Sequence, residues 1–202
     1  MPAVGNHEYY TAGAKPYYDY FGARAGARGK GYYSYDLGSW HIVVLNSNCN
    51  KVGGCGERSP QGRWLRRDLA NNPSSCTLAY FHHPLYATGL NTSTPQVRPF
   101  WRMLHYRGAD VILNGHAHRY ERHAPMTPGG VRSANGIRQF VVGTGGSPGG
   151  SEIYSSQVPN LQVVRTDTFG VIQLNLRASS YAWNFVPVAG QTFTDSGMSR
   201  CH

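Results

Sequence analysis

A layered α/β fold is predicted for this chain on three observations. Strand-length apolar runs alternate with helix-length segments, two of those runs end directly in histidine clusters, and the last part of the chain carries an antiparallel hairpin pattern. With 202 residues, 40% of them hydrophobic and 14% charged, there is apolar material for one substantial core. That balance excludes a disordered chain. No apolar run approaches the roughly 20 residues of a membrane-spanning helix.

Residues 1–35 are rich in Gly, Tyr and Ala and read as loops with a short strand near 32–35. Residues 40–45, Trp-His-Ile-Val-Val-Leu, form a β-branched run of strand length. Ser59-Pro60 then supplies a cap and a first-turn proline, opening a helix that runs to about residue 71. Residues 77–81 make a second buried strand, which delivers His82-His83-Pro84. Thr94-Pro95 opens another helix by the same capping logic, with Val97, Phe100, Trp101 and Leu104 at core-facing spacing. Residues 109–113 are a third strand, ending in Asn114-Gly115-His116-Ala117-His118. Residues 139–142 form a strand before a Gly-rich segment, and 170–176 with 181–186 form the hairpin. Composition marks no domain boundary, so residues 1–202 are one domain.

The formal net charge is +9. The bases are scattered apart from Arg63, Arg66 and Arg67 on the first predicted helix, which read as a solvated basic face. No helix-turn-helix or RNA-binding signature accompanies them, so no nucleic-acid partner is expected. The four cysteines make no C-x-x-C pair, which excludes a zinc ribbon. Cys49 and Cys55 flank a Gly-rich loop suited to a local disulfide, leaving Cys76 to pair with Cys201; four free thiols are the alternative, because spacing alone does not give connectivity. Paired cysteines predict an extracytoplasmic or secreted protein, although residues 1–30 hold no signal-peptide pattern.

Three segments carry chemistry: Gly5-Asn6-His7-Glu8, His82-His83-Pro84, and Gly115-His116-Ala117-His118-Arg119-Tyr120-Glu121-Arg122. Imidazole nitrogens and amide oxygens suit Zn, Fe or Mn. Taken singly, histidines such as His41, His105 and His123 are read as packed or solvated. Residues 143–150 lack the Lys-Ser/Thr of a phosphate-binding P-loop and read as a turn at the site rim.

In their order, the three segments resemble the metallophosphoesterase (calcineurin-like) superfamily, and the Gly-His-x-His-x-Tyr-Glu-Arg run resembles its purple acid phosphatase-like branch. The resemblance implies an α/β/β/α layered sandwich and hydrolysis of a phosphate ester by a metal-activated water, with two metal ions clamping the substrate. It assigns Asn6, His82 and His116 to one metal and His118 to the other. His7 falls at the family's phosphate-facing histidine and, by that resemblance, would be the catalytic residue. Glu8 would orient His7, Tyr120, Glu121 and Arg122 would brace the His116 to His118 loop, and His83 would contact substrate. Specificity would lie in loops such as residues 86–94.

The family pattern also opens with an Asp-x-His and a Gly-Asp motif that supply carboxylate ligands, and none of the ten acids of this chain stands in either context. The expectation is an amino-terminally truncated catalytic domain lacking its first strands, which binds one metal or none in place of two. Without anionic ligands, two dications would repel each other unscreened. The exposed surface left by the missing strands predicts an oligomer or a covering partner. A non-catalytic remnant that binds anions on the same scaffold is the alternative reading.

Overall fold

A computed structural model describes residues 1–89, 92–147 and 158–202. Residues 90 and 91 of the 86–94 loop and residues 148–150 of the Gly-rich turn lie outside the described residues. Three parallel strands, β2 (Trp40–Val44), β3 (Cys76–Tyr80) and β4 (Val111–Asn114), form the centre, with Trp40 opposite Cys76 and Leu78 opposite Val111. Their nearly unbroken apolar runs are what a strand buried on both faces requires. β1 (Tyr33–Leu37) flanks β2 antiparallel. On the other side come β6 (Arg138–Val142), parallel to β4, then β5 (Tyr120–His123) and β7 (Leu161–Arg165), both antiparallel to their neighbours. The seven-stranded order is therefore β1-β2-β3-β4-β6-β5-β7.

Two helices cross between the central strands. In α2 (Pro60–Asn71) the Ser59 hydroxyl accepts from Gly62 N at 3.0 Å and proline fills the first position, as the capping pattern predicts. α3 (Arg98–Tyr106) starts later than Thr94 because residues Pro95–Val97 wind as a 3-10 turn. Leu65 and Leu69 of α2, with Phe100, Trp101 and Leu104 of α3, pack on Val43, Ala79 and Ile112. The opposite face of the sheet carries Trp40, Ile42, Leu78, Val111 and Phe140 against Tyr181, Trp183 and Phe185. Those three aromatics belong to a second sheet of β8 (Gly170–Arg177), β9 (Ser180–Pro187) and β10 (Ser196–Arg200), ordered β10-β9-β8. The hairpin is where the sequence places it. The result is a mixed α/β architecture of helices, sheet and second sheet.

Four elements escape the sequence pattern. α1 (Lys15–Phe21) buries Tyr17 and Tyr18 against Val4 and Ala25, so its core face is aromatic and carries hydroxyls, and Ala14 before it is left-handed at φ 51°. β5 is hidden inside the histidine motif, and β7 and β10 are short, with no fully buried residue to signal them.

Both disulfides form as expected, Cys49–Cys55 across 6 residues and Cys76–Cys201 across 125. The second joins the start of β3 to the residue after β10. His202 extends the tie, donating its backbone N–H to Asp110 Oδ1 at 3.0 Å. Loop-closure entropy assigns about 5 kcal/mol to the long bridge and about 2 kcal/mol to the short one. Urea denaturation of Cys76→Ser/Cys201→Ser should therefore show a loss of stability about twice that of Cys49→Ser/Cys55→Ser.

His41 lies almost wholly buried between Asp36 Oδ1 (2.8 Å) and Asp68 Oδ2 (2.9 Å). Burial disfavours its charge, but the bonds to Asp68 and Asp36 outweigh that and hold its pKa above the ordinary value. A raised histidine pKa stabilises the fold fully below the unfolded value near 6.5 and loses that contribution as pH rises through the folded value. Thermal unfolding across pH 5 to 9 should show the gap between wild type and His41→Gln widest at the acidic end and shrinking upward.

Candidate functional site

The carboxyl ends of parallel strands are where an α/β sheet presents polar groups, and the loops after β2, β3 and β4 meet there. β3 continues its ladder through Phe81 N to Leu113 O at 3.1 Å, and Gly115 N donates to His82 O at 3.0 Å, which sets the two histidine loops side by side. His82 Nε2 lies 2.7 Å from Asn6 Oδ1 and 3.3 Å from His116 Nδ1. The His83 ring centroid is 4.5 Å from that of His116. One ring nitrogen from each of His82, His83 and His116 falls within a 4.8 Å group. Asn6, His7, Glu8, His82, His116 and His118 line one cavity of about 330 Å³.

Local backbone chemistry aims these groups. His116 has φ 65°, and Ala117 N reaches Gly115 O at 2.7 Å, closing a tight three-residue turn around it. A second such bond, Arg119 N to Ala117 O at 2.7 Å, closes around His118. A non-glycine residue in the left-handed region is strained, and such strain collects at functional sites. The loop crosses so close to the end of β6 that a Cβ on Gly143 would stand 1.9 Å from Ala117 O, so only glycine fits. Gly5 is confined likewise, with Glu8 Oε2 at 2.9 Å and His82 Cε1 at 3.0 Å from the position of a Cβ.

Burial, followed by the neighbouring imidazoles His83, His116, His7 and His118, pushes the His82 pKa down to about 3. Burial and then His116 push His83 down to about 4. His116 is lowered by burial first and then by His118 and His7. At neutral pH these rings are uncharged and hold lone pairs for a cation. The imidazoles of His82 and His116 with the Asn6 amide oxygen, and His83 beside them, make a neutral donor set suited to a transition dication such as Zn, Fe or Mn. No carboxylate joins the imidazole group among the described residues, so this donor set fits one ion and offers no anion to bridge two.

Several side chains stand elsewhere than the sequence suggests. Glu8 accepts from Gly5 N at 2.7 Å, closing its own turn, while His7 stacks on Tyr10 at 4.8 Å. Tyr120 and Arg122 turn to the second sheet, where Tyr120 O–H donates to Asp195 Oδ2 at 2.6 Å and Arg122 Nε to the same oxygen at 2.7 Å. Alternation along β5 is the cause: residues 120 and 122 share the face away from Glu121. Glu121, fully buried, accepts from Thr88 N (2.9 Å) and Thr88 Oγ1 (2.6 Å) and so braces the 86–94 loop. Arg119 Nη1 also donates to Thr88 Oγ1, at 3.1 Å, linking that loop to the residue after His118.

The loop after β2 contributes residues that lie outside the three histidine segments. Ser47 Oγ accepts from His83 N at 3.0 Å and lies 2.8 Å from His83 Nδ1, fixing the ring. Asn48 Nδ2 donates to Val4 O and Gly5 O, each at 3.3 Å, and Asn46 Nδ2 donates to the Tyr9 hydroxyl at 2.8 Å. Their strand-end position was the available signal.

The model of the calcineurin-like phosphoesterase family matches residues 1–120. The chain belongs to that family. Within it, the chain falls in the purple acid phosphatase-like branch. It is 26% identical over 165 residues to purple acid phosphatase 18 of Arabidopsis thaliana, covering 78% of this chain and 37% of that protein. Against purple acid phosphatase 15 of the same plant it is 27% identical over 135 residues, 60% of this chain and 25% of the relative. The chain thus spans well under half the length of these curated relatives. A purple acid phosphatase from yellow lupin (Lupinus luteus) seeds shares the fold at TM-score 0.80 and 20% identity, over 98% of this chain and 40% of the other. Among the described residues no helix is long and apolar enough to cross a membrane.

Because the folded His82 and His83 bind protons only well below the unfolded value, their contribution to stability is present above about pH 6.5 and is lost as pH falls toward 4 and 3. Metal-free protein should therefore lose thermal stability on acidification, and His83→Asn should flatten that acid limb.

Proposed function

We propose that the chain is the catalytic domain, residues 1–202, of a metal-dependent phosphoric ester hydrolase of purple acid phosphatase type, carrying part of the family's α/β/β/α sandwich. The observation that carries this reading is the convergence of Asn6 Oδ1, His82 Nε2 and His116 Nδ1 from three separate loops, at 2.7 and 3.3 Å. Asn6, His82 and His116 would hold one metal; His118 stands on the wall of the same cavity, where a second ion would need an anionic ligand that the imidazole group does not supply. A bound dication there supplies Lewis acidity toward a phosphoryl oxygen and lowers the pKa of water. His7 is exposed on the rim of that cavity, placed to donate to the phosphoryl group or to protonate the leaving oxygen. His83, fixed by Ser47, lies beside His116 and would contact the substrate.

The absence of a carboxylate from the imidazole group favours a second reading, a scaffold that binds phosphate without turning it over. The two formed disulfides support an extracytoplasmic or secreted setting. A covering partner or second copy is supported by the edge strand β8, whose Ile172, Leu174 and Leu176 are only partly buried. A cleft of about 450 Å³ beside it is lined by Tyr35, Tyr80, Leu113, Val142 and Ile172.

Elemental analysis after equilibration with Fe, Zn and Mn, together with p-nitrophenyl phosphate hydrolysis, tests both readings. The hydrolase reading expects metal retention of up to one ion per chain with measurable turnover, both lost in His116→Ala. Phosphate binding without turnover, with metal or without it, would replace it with the scaffold reading.

A further inference from the structure

Between α2 and α3 lies a groove of about 370 Å³ lined by Glu57, Arg66, Leu69, Arg102, Met103, Tyr106 and Arg107. None of these residues lines the histidine cavity. Its floor is apolar, since Leu69 is 5% and Met103 6% exposed, and Tyr106, 82% exposed, forms an aromatic wall. Arg66 projects from α2, Arg102 from α3, and Arg107 follows α3 and stacks its guanidinium 5.6 Å over the Tyr106 ring.

The three guanidiniums make no ion pair with any described residue. Elsewhere in the molecule arginines do find acids: Arg28 with Asp19 at 2.7 Å, Arg122 with Asp195 at 2.7 Å and Arg165 with Asp167 at 3.1 Å. In the groove Glu57 is the single carboxylate against three cations. Arg63, Arg66 and Arg67 also stand at i, i+3 and i, i+4 on α2, spacings at which like charges repel. A solvated basic face accounts for the charge but not for its gathering around an apolar floor. Guanidinium forks match a phosphoryl or phosphonyl group, and an aromatic or aliphatic body would cover Leu69 and Met103.

We propose that this groove is a second binding site, for a small organic phosphate whose apolar body lies on Leu69 and Met103 while Arg66, Arg102 and Arg107 hold its anionic head. It is independent of the metal site and of whether that site turns substrate over.

Phenylphosphonate, whose phosphorus–carbon bond resists hydrolysis, serves as the probe in calorimetric titration of the metal-free chain, with inorganic phosphate as reference. Saturable binding at one site is expected, about tenfold tighter than phosphate because only the phosphonate covers the apolar floor. The exposed double variant Arg66→Gln/Arg102→Gln should weaken it by about tenfold or more, and His116→Ala should leave it unchanged. Equal affinity for phosphate and phenylphosphonate, no saturable binding, indifference to the arginine pair or loss in His116→Ala would each overturn the proposal. If the double variant loses phenylphosphonate binding while its thermal unfolding matches wild type, the loss belongs to the site and not to the fold.

Discussion

Trp40, Leu78 and Val111 face a second sheet while Val43, Ala79 and Ile112, their neighbours along the same strands, face two helices. Strands covered on both sides leave polar side chains few places to go. They can leave the sheet at its ends, where the loops after β2, β3 and β4 carry Asn46 to Asn48, His82 with His83, and His116 with His118. The location of the site is in this sense a by-product of core burial. The closeness of the loops follows from the parallel register, which places each strand end beside the next.

Within the site, electrostatics and packing act in the same direction. Burial strips the imidazoles of charge, and their mutual proximity strengthens the effect, so the cluster exists as a set of neutral donors. A carboxylate among them would favour their protonation and give a metal an anionic ligand. Its absence from the group makes the described site a half-set: sufficient in donor chemistry for one transition ion, without the charge to hold two close together. The strained turn at His116 and the glycine at 143 show how tightly the backbone is bent to bring these rings together.

Much of the fold was legible from pattern. The runs at β2, β3 and β4, the capped helices and the hairpin all carry periodicity or punctuation that reports burial directly. α1 did not, because tyrosines with hydroxyls form its core face, and β7 and β10 did not, because short half-exposed strands depend on neighbours for their pairing. In the site, the three histidine segments were legible as chemistry. The bracing was not: Tyr120 and Arg122 turn to Asp195 and Glu121 turns to Thr88, a division made by strand alternation in an element that the motif itself concealed.

From its sequence alone this chain determined its class of fold and the residue types that converge on a metal or a phosphate, because hydrophobic period, capping chemistry and ligand identity are local properties. Tertiary structure decided which of those residues meet. Ser47 and Asn48 entered the site, Tyr120 and Arg122 left it, and His82, His83 and His116 became one group. The physical reason is that a distance between side chains far apart in sequence is set by register and by which face of a strand each occupies, and neither is written in the spacing of a motif.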